Sequence, residues 1–163
     1  MTSPSEKARK AAFGLLARRS RTVREMEEQL GRLGFEGGII KEIIAELARL
    51  GYLDDRLFAR QYARARACDH LWGNRRIEAE LLKKGIDRAT IRETLSEVRR
   101  DFPEEEGLVS YLRGWRRRAS PGDGAKERRR VAARLLARGF PAGLVYEKLQ
   151  TSEEVDDHGD DIQ

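Results

Sequence analysis

An all-α fold of three tandem three-helix repeats is predicted by three features of this 163-residue chain. The first is a pattern that occurs three times, at Gly34-Phe35, Gly85-Ile86 and Gly139-Phe140. Leu30, Leu81 or Leu135 stands four residues before the Gly, and Met26, Ile77 or Val131 eight before it. Ile40, Ile91 or Val145 follows, and then Ile44, Leu95 or Leu149 four residues further on. Steps of four are the helical period. The second feature is the absence of any useful stretch that alternates with period two, which leaves no candidate strand. The third is composition: 39% hydrophobic but only 7% aromatic residues suit thin helical layers better than a sandwich or barrel. Gly-to-Gly intervals of 51 and 54 residues mark a repeat architecture, and such proteins usually act through recognition surfaces.

The first repeat covers residues 6–50. Ala8, Ala12, Leu15 and Leu16 give a helix over about 6–19. Thr22 followed by Glu25 reads as a capping box before a helix that runs to Leu33, and Gly34 ends it as a left-handed cap. Gly37-Gly38 opens a third helix with Ile39, Ile40, Ile43, Ile44 and Leu47 on one wide face. The second repeat, 51–101, starts at Gly51-Tyr52-Leu53-Asp54-Asp55. It places Leu57, Phe58, Gln61 and Tyr62 on its first helix and turns at Trp72-Gly73-Asn74. Ile77, Leu81 and Leu82 mark its second helix, which Gly85 caps, and Asp87 is the expected N-cap of the helix carrying Ile91, Leu95 and Val98. The third repeat, 104–150, has Leu108, Val109, Leu112 and Trp115 on its first helix. Ser120-Pro121-Gly122-Asp123-Gly124 breaks regular structure, so Arg116 to Lys126 is expected to be a mobile connection. Val131, Leu135 and Leu136 mark the next helix, and a short last helix spans Pro141 to about Gln150. Residues 151–163 are expected to be an acidic disordered tail.

Charged residues make up 37% of the chain, against roughly 25% in typical domains. The formal net charge is +5, but Glu153, Glu154, Asp156, Asp157, Asp160 and Asp161 all fall in residues 152–163. Setting those six acids aside leaves +11 on residues 1–151. A body this basic points to an acidic or phosphate-rich partner. Cys68 is the only cysteine, which excludes an internal disulfide and a cysteine metal site and favours a reducing cytoplasm. The apolar run Ala11–Ala17 is too short to span a membrane, and Arg18, Arg19 and Arg21 follow it in place of a cleavage site, so it reads as amphipathic helix.

Chemistry-bearing residues are sparse. Asp54 and Asp55 are adjacent and do not converge on one point, so a helix N-cap is the expected role. His70 and His158 lack a partner for metal or general-base work, and Cys68 lacks a triad partner. There is no P-loop, no metal cluster and no nucleophile–base pair, so no enzyme activity and no cofactor are expected. Arginine is the informative residue. Arg56, Arg60 and Arg64 recur every four residues with little acid at adjacent positions, and Arg75-Arg76 begin the next helix. Arg116–Arg118, Arg128–Arg130, Arg134 and Arg138 follow in the third repeat. A charged stripe is usually a solvated face; this one is the candidate contact surface. Trp72 either packs between repeats or serves as an exposed anchor. The glycines Gly34, Gly85 and Gly139 are expected to be structural caps.

These residues resemble the RecX family, regulators of the recombinase RecA. The likeness is clearest from Leu47 to Ile86: Gly51, Tyr52, Leu53, Asp54 and Asp55, then Phe58-Ala59, look like the family's central motif. Gly73, Arg76-Ile77, Glu80-Leu81, Lys84 and Gly85-Ile86 continue it. The resemblance implies tandem repeats bent into an elongated, curved body. It also implies binding in the groove of the RecA filament on DNA, with modulation, usually negative, of its ATPase and strand exchange. Arg56, Arg60, Arg64, Trp72, Arg75 and Arg76 are the expected partner-binding residues, for the RecA filament or for DNA. A monomer in the cytoplasm, free of any membrane, is expected. A direct DNA-binding module is the alternative. Lys41, Glu42, Glu46 and Arg49 on one candidate recognition helix, and Asp87, Arg88, Arg92, Glu93, Glu97 and Arg99 on the other, offer no base-reading edge, so contact would be through phosphates. The acidic tail is expected to fold back over the arginine surface and compete with the partner.

Overall fold

A computed structural model describes residues 2–119 and 124–156, with side chains described through Thr151. The described residues form tandem three-helix groups: α1 (Pro4–Arg18), α2 (Val23–Arg32) and α3 (Gly37–Arg49); α4 (Asp55–Cys68), α5 (Asn74–Lys83) and α6 (Arg88–Asp101); α7 (Glu104–Arg116), α8 (Gly124–Ala137) and α9 (Ala142–Asp156). No strand occurs among them.

Local sequence sets most boundaries. Ser3 and Glu6 form a capping box ahead of α1, with Pro4 in its first turn, and Thr22 and Glu25 form the same device at α2. The Asp54 Oδ1 accepts the Leu57 N–H at 2.9 Å, and the Asp87 carboxylate accepts both the Thr90 N–H and the Thr90 hydroxyl, at 2.9 and 2.7 Å. Those bonds, the hydroxyl's first, hold the Asp87 carboxyl below its ordinary pKa. Gly34, Gly85 and Gly139 end their helices at φ of 85°, 84° and 92°.

Two elements depart from expectation at the third group. The last helix was expected to stop near Gln150; α9 continues to Asp156, taking in Glu153 and Glu154. Lack of apolar residues prevents independent folding, but a helix already nucleated by packing propagates through good helix formers such as Glu. Asp157, His158, Asp160 and Asp161 lie outside the described residues, as do Ser120–Asp123. Helix α8 starts at Gly124, so Gly124–Lys126, expected in the irregular connection, are helical.

The chain divides into two compact units, one of residues up to Tyr62 with Glu80–Thr94, the other of Ala63–Ala79 with residues from Leu95 on. In the first unit α1, α2 and α3 pack on one another around Ala8, Ala12, Met26, Leu30, Ile43, Leu47 and Leu53. In the second, α9 packs on α7 and α8 around Leu108, Leu112, Val131, Ala132, Leu135, Phe140, Val145 and Leu149. Helix α1 buries Ala8 and Ala12, whereas the corresponding α7 buries Leu108 and Leu112. Burial of each such Leu contributes about 1.5–3 kcal/mol. No helix among the described residues is long and apolar enough to cross a membrane.

Candidate partner-binding surfaces

Helix α4 separates two kinds of side chain. Ala59, Ala63 and Ala67 are buried; Arg56, Arg60 and Arg64 are exposed. In the first unit the Arg56 guanidinium lies 3.6 Å from the Glu93 carboxylate. In the second, Arg64 lies 3.6 Å from Asp101 and 5.1 Å over the Phe102 ring. Arg60 also has an interaction partner. The stripe therefore does not lack compensating acid, as its own helix suggested. The acids come from α6, about 37 residues later, beyond what adjacency along one helix reveals.

Within the first unit the N-terminus of α2 meets the C-terminus of α5. The buried Thr22 hydroxyl donates to the Lys84 carbonyl at 2.6 Å, and the Val23 N–H donates to Asp55 Oδ1 at 2.9 Å. Asp55 therefore caps α2, while its neighbour Asp54 caps α4. Burial pushes the Asp55 carboxyl's pKa up, and Asp54, Asp87 and Glu25 add to that; the Val23 N–H opposes it. The Lys84 ammonium donates to Glu25 at 3.0 Å and lies 5.8 and 5.4 Å over the stacked Phe58 and Tyr62 rings. Burial pushes the Glu25 carboxyl up too, but hydrogen bonds from Arg19, Lys84 and the Thr22 N–H together outweigh it, and its pKa ends below the ordinary value. A Cβ on Gly85 would come within 2.6 Å of the Arg24 side chain.

The second unit contains the corresponding arrangement at the N-terminus of α5 and the C-terminus of α8. The Gly73 N–H donates to the Arg138 carbonyl at 2.8 Å and the Arg75 N–H to the Gly139 carbonyl at 3.2 Å. The Asn74 N–H donates to Glu104 Oε1 at 2.7 Å, the counterpart of Val23 on Asp55. A Cβ on Gly73 would lie 2.3 Å from the Gly139 backbone, and one on Gly139 would lie 2.3 Å from the Arg76 nitrogen. These glycines are thus close-contact positions as well as caps. The half-buried Trp72 ring carries the Arg76 guanidinium at 3.8 Å and that of Arg66 at 4.9 Å. Leu71, just before it, holds φ of 51°. Arg138 lies 4.6 Å over Tyr111 and donates to the His70 carbonyl. Arg99 fixes the turn from below, donating to the Trp72 carbonyl at 2.8 Å and to Asn74 Oδ1 at 2.7 Å; burial lowers its pKa. Burial also raises that of the Cys68 thiol at the end of α4.

The family model described as "RecX, first three-helix domain" matches residues 8–47, and "RecX, second three-helix domain" matches residues 54–95. Along its length the chain is 34% identical to the regulatory protein RecX of Halorhodospira halophila, over 95% of this chain and 94% of that one. The chain belongs to the RecX family. It is also 31% identical to the regulatory protein RecX of Mycolicibacterium smegmatis, over 87% of this chain and 77% of that relative. The fold is similar to the crystal structure of RecX from Lactobacillus salivarius, with a TM-score of 0.79 at 24% identity over 95% of this chain and 99% of that one.

Of the motif residues singled out from sequence, Asp54, Asp55, Phe58, Gly73, Ile77, Leu81 and Gly85 fall inside the second matched RecX domain, and Gly51, Tyr52 and Leu53 lie between the two. The structure brings Asp55, Phe58 and Gly85 to the first junction, and Gly73, Trp72 and Arg76 to the second. Tyr52 packs edge-on against Phe13 at 5.2 Å, and Leu53, Ile77 and Leu81 are buried. Sequence reasoning missed Thr22, Arg99, Glu104 and Arg138 as junction residues. A signal for one existed: the 51-residue repeat offset places Thr22 opposite Gly73.

Proposed function

We propose that this RecX-family chain is a non-enzymatic regulator that binds the RecA nucleoprotein filament in the cytoplasm. It modulates, chiefly by inhibition, the filament's ATPase, recombinase and coprotease activities in DNA repair and the SOS response. The observation that carries this reading is the match of both three-helix domains to RecX, with near full-length similarity to a regulatory protein RecX. The proposed contacts are Arg56 and Arg60 from the first unit and Arg64, Trp72, Arg75 and Arg76 from the second.

Exposed ion pairs such as Arg56–Glu93 and Arg64–Asp101 contribute only about 0–1 kcal/mol. A carboxylate from a partner can therefore replace the internal one with little loss. Several such exchanges on one chain act together as a multivalent contact. A chain held at several points on the filament slows protomer movement or exchange, and with it ATP turnover, without approaching ATP.

The test is the DNA-stimulated ATPase rate of RecA on single-stranded DNA with this protein titrated in below stoichiometry, beside a titration against bare DNA. Strong inhibition well below DNA saturation is expected. An unchanged ATPase rate, with binding confined to bare DNA, would overturn the reading.

A further inference from the structure

Helix α7 is the most polarised of the described helices. Its first turn holds Glu104, Glu105 and Glu106, and its last holds Arg113 and Arg116, with Arg117 directly after. No other described helix has more than one acid in its first turn. The helix dipole accounts for that polarity but not for where the charges stand. Glu106, Ser110, Arg113 and Arg117 follow one another at steps of four, three and four, which sets them in one row along the helix, and all four are exposed. The half-buried Val109 flanks the row at its centre. Glu104 accepts the Asn74 N–H, and Glu105 shares the Lys148 ammonium with Glu147. Glu106, Arg113 and Arg117 have no ion pair among the described residues. Glu106 and Arg113 are about 10.5 Å apart along the axis, so neither neutralises the other within the helix.

Two open hollows flank this row. One is lined by Glu106, Val109, Ser110 and Arg113, the other by Val109, Arg113, Arg116 and Arg117. Each is a groove that side chains of a facing helix can enter. The occupant that fits is the reverse of the row itself: basic beside Glu106, acidic beside Arg113 and Arg117, small at the centre. A polyanion is repelled at the acidic end. A second copy of α7, set antiparallel about a two-fold axis at Ser110, has the required order. From that axis Glu106 stands about 6 Å to one side, and Arg113 and Arg117 of the second copy stand about 4.5 and 10.5 Å to the same side. Glu106 of each copy therefore falls between the two arginines of the other, and both ends are paired at once.

We propose that the exposed face of α7 is a self-association surface, on which a second copy of this chain docks antiparallel with Glu106 of each copy between Arg113 and Arg117 of the other. None of the proposed RecA contacts lies on α7, so the two readings stand or fall separately. A single helix face buries less than the roughly 1,200 Å² of a stable interface, so the pair is short-lived, and the monomer expected from the sequence is its dilute form. Cross-linking traps such a pair. The full chain carries Cys68→Ser, so that an introduced thiol is its only one. Ser110→Cys then places two thiols at the axis, where facing helices bring them within disulfide reach. Glu27→Cys, at an exposed position on α2, reports chance collision. With diamide as oxidant at low salt, the Ser110→Cys chain is expected to form dimer at least tenfold faster than the Glu27→Cys chain, an advantage that shrinks at high salt as screening grows. Glu106→Arg, or Arg113→Glu with Arg117→Glu, added to Ser110→Cys should abolish the advantage, because each sets like charges opposite at both ends. An equal mixture of those two variants should recover it as the heterodimer, since opposite charges then meet at both ends; recovery also shows that both are folded. Should either variant melt well below the parent, E106Q and R113Q/R117Q take their place, each expected to slow cross-linking at least threefold. Equal rates for the two thiol positions, a Ser110→Cys rate indifferent to salt and to the loss of Glu106, or no recovery in a mixture of folded variants would each overturn the proposal.

Discussion

The two units close equivalent junctions with different chemistry. In the first, a hydroxyl and an ion pair do it: Thr22 on the Lys84 carbonyl and Lys84 on Glu25. In the second, the position of Thr22 is Gly73, and the backbone itself approaches Arg138 and Gly139. Where the first unit has Lys84 facing Glu25, the second has Arg138 and Arg76. These like charges are turned onto separate rings, Tyr111 and Trp72. Two devices are common to both: the carboxylate cap, Asp55 on Val23 and Glu104 on Asn74, and a cation over a tyrosine ring, Lys84 over Tyr62 and Arg138 over Tyr111. The same helical scaffold is thus charge-paired and pH-sensitive at one junction and sterically exacting at the other.

The largest effect should come from breaking the steric junction. Gly34, Gly85 and Gly139 share a left-handed backbone, so replacement by Ala strains all three alike. Their surroundings differ. A Cβ at Gly34 meets nothing within 4 Å, one at Gly85 meets the flexible Arg24 side chain, and one at Gly139 meets the Arg76 backbone. Urea denaturation should rank Gly34→Ala at about 1 kcal/mol of destabilisation, Gly85→Ala at about 2 and Gly139→Ala at about 3 or more. Equal losses at the three sites would mean that close approach adds nothing to the backbone strain.

That series also marks how far the sequence could be read. The three Gly-capped helices, the Thr22–Glu25 box and the Asp54 and Asp87 caps are local devices, and local spacing revealed them. The cap that Asp55 gives Val23 crosses 32 residues, and the acids opposing the α4 arginines sit on α6. Such pairings depend on how helices dock, which periodicity along one helix does not encode. The end of α9 was misjudged because composition reports burial and not propagation of an existing helix.

Trp72 tests the second junction from its aromatic side. Trp72→Ala removes a half-buried ring and two cation–π contacts, and should cost about 2 kcal/mol. Trp72→Phe keeps a face for Arg76 and should cost about 1 kcal/mol or less by the same denaturation assay. Identical losses for both would show that packing bulk, rather than the ring face, matters there.

Glu25→Gln removes the charge that Arg19 and Lys84 share while leaving an acceptor for the Thr22 N–H, a loss of about 1–2 kcal/mol at neutral pH. The folded pKa of Glu25 lies below its ordinary value, so its contribution is present above the unfolded carboxylate pKa and disappears as pH falls through the folded one. Protection of the amides of residues 22–25 against hydrogen exchange should therefore fall in the parent as pH drops through the carboxylate range, and show no such step in the variant. An identical acid profile in both proteins would remove Glu25 as the source.

The smallest effect is expected at Asp55, with the opposite sign of pH dependence. Burial raises its folded pKa, so its stabilising contribution is complete below the unfolded pKa and is lost as pH rises through the folded one. At neutral pH the charge is a burden and the useful atom is Oδ1, which accepts the Val23 N–H. Asp55→Asn keeps that oxygen and should leave stability unchanged or raised by about 0.5 kcal/mol at pH 7, a gain that fades by pH 3 once the parent carboxyl is protonated. Asp55→Ala loses the acceptor and should cost about 1 kcal/mol at either pH. If the Asn variant is as damaged as the Ala variant at pH 7, the negative charge itself holds the α2 N-terminus through the helix dipole, and the first junction is electrostatic at both its carboxylates.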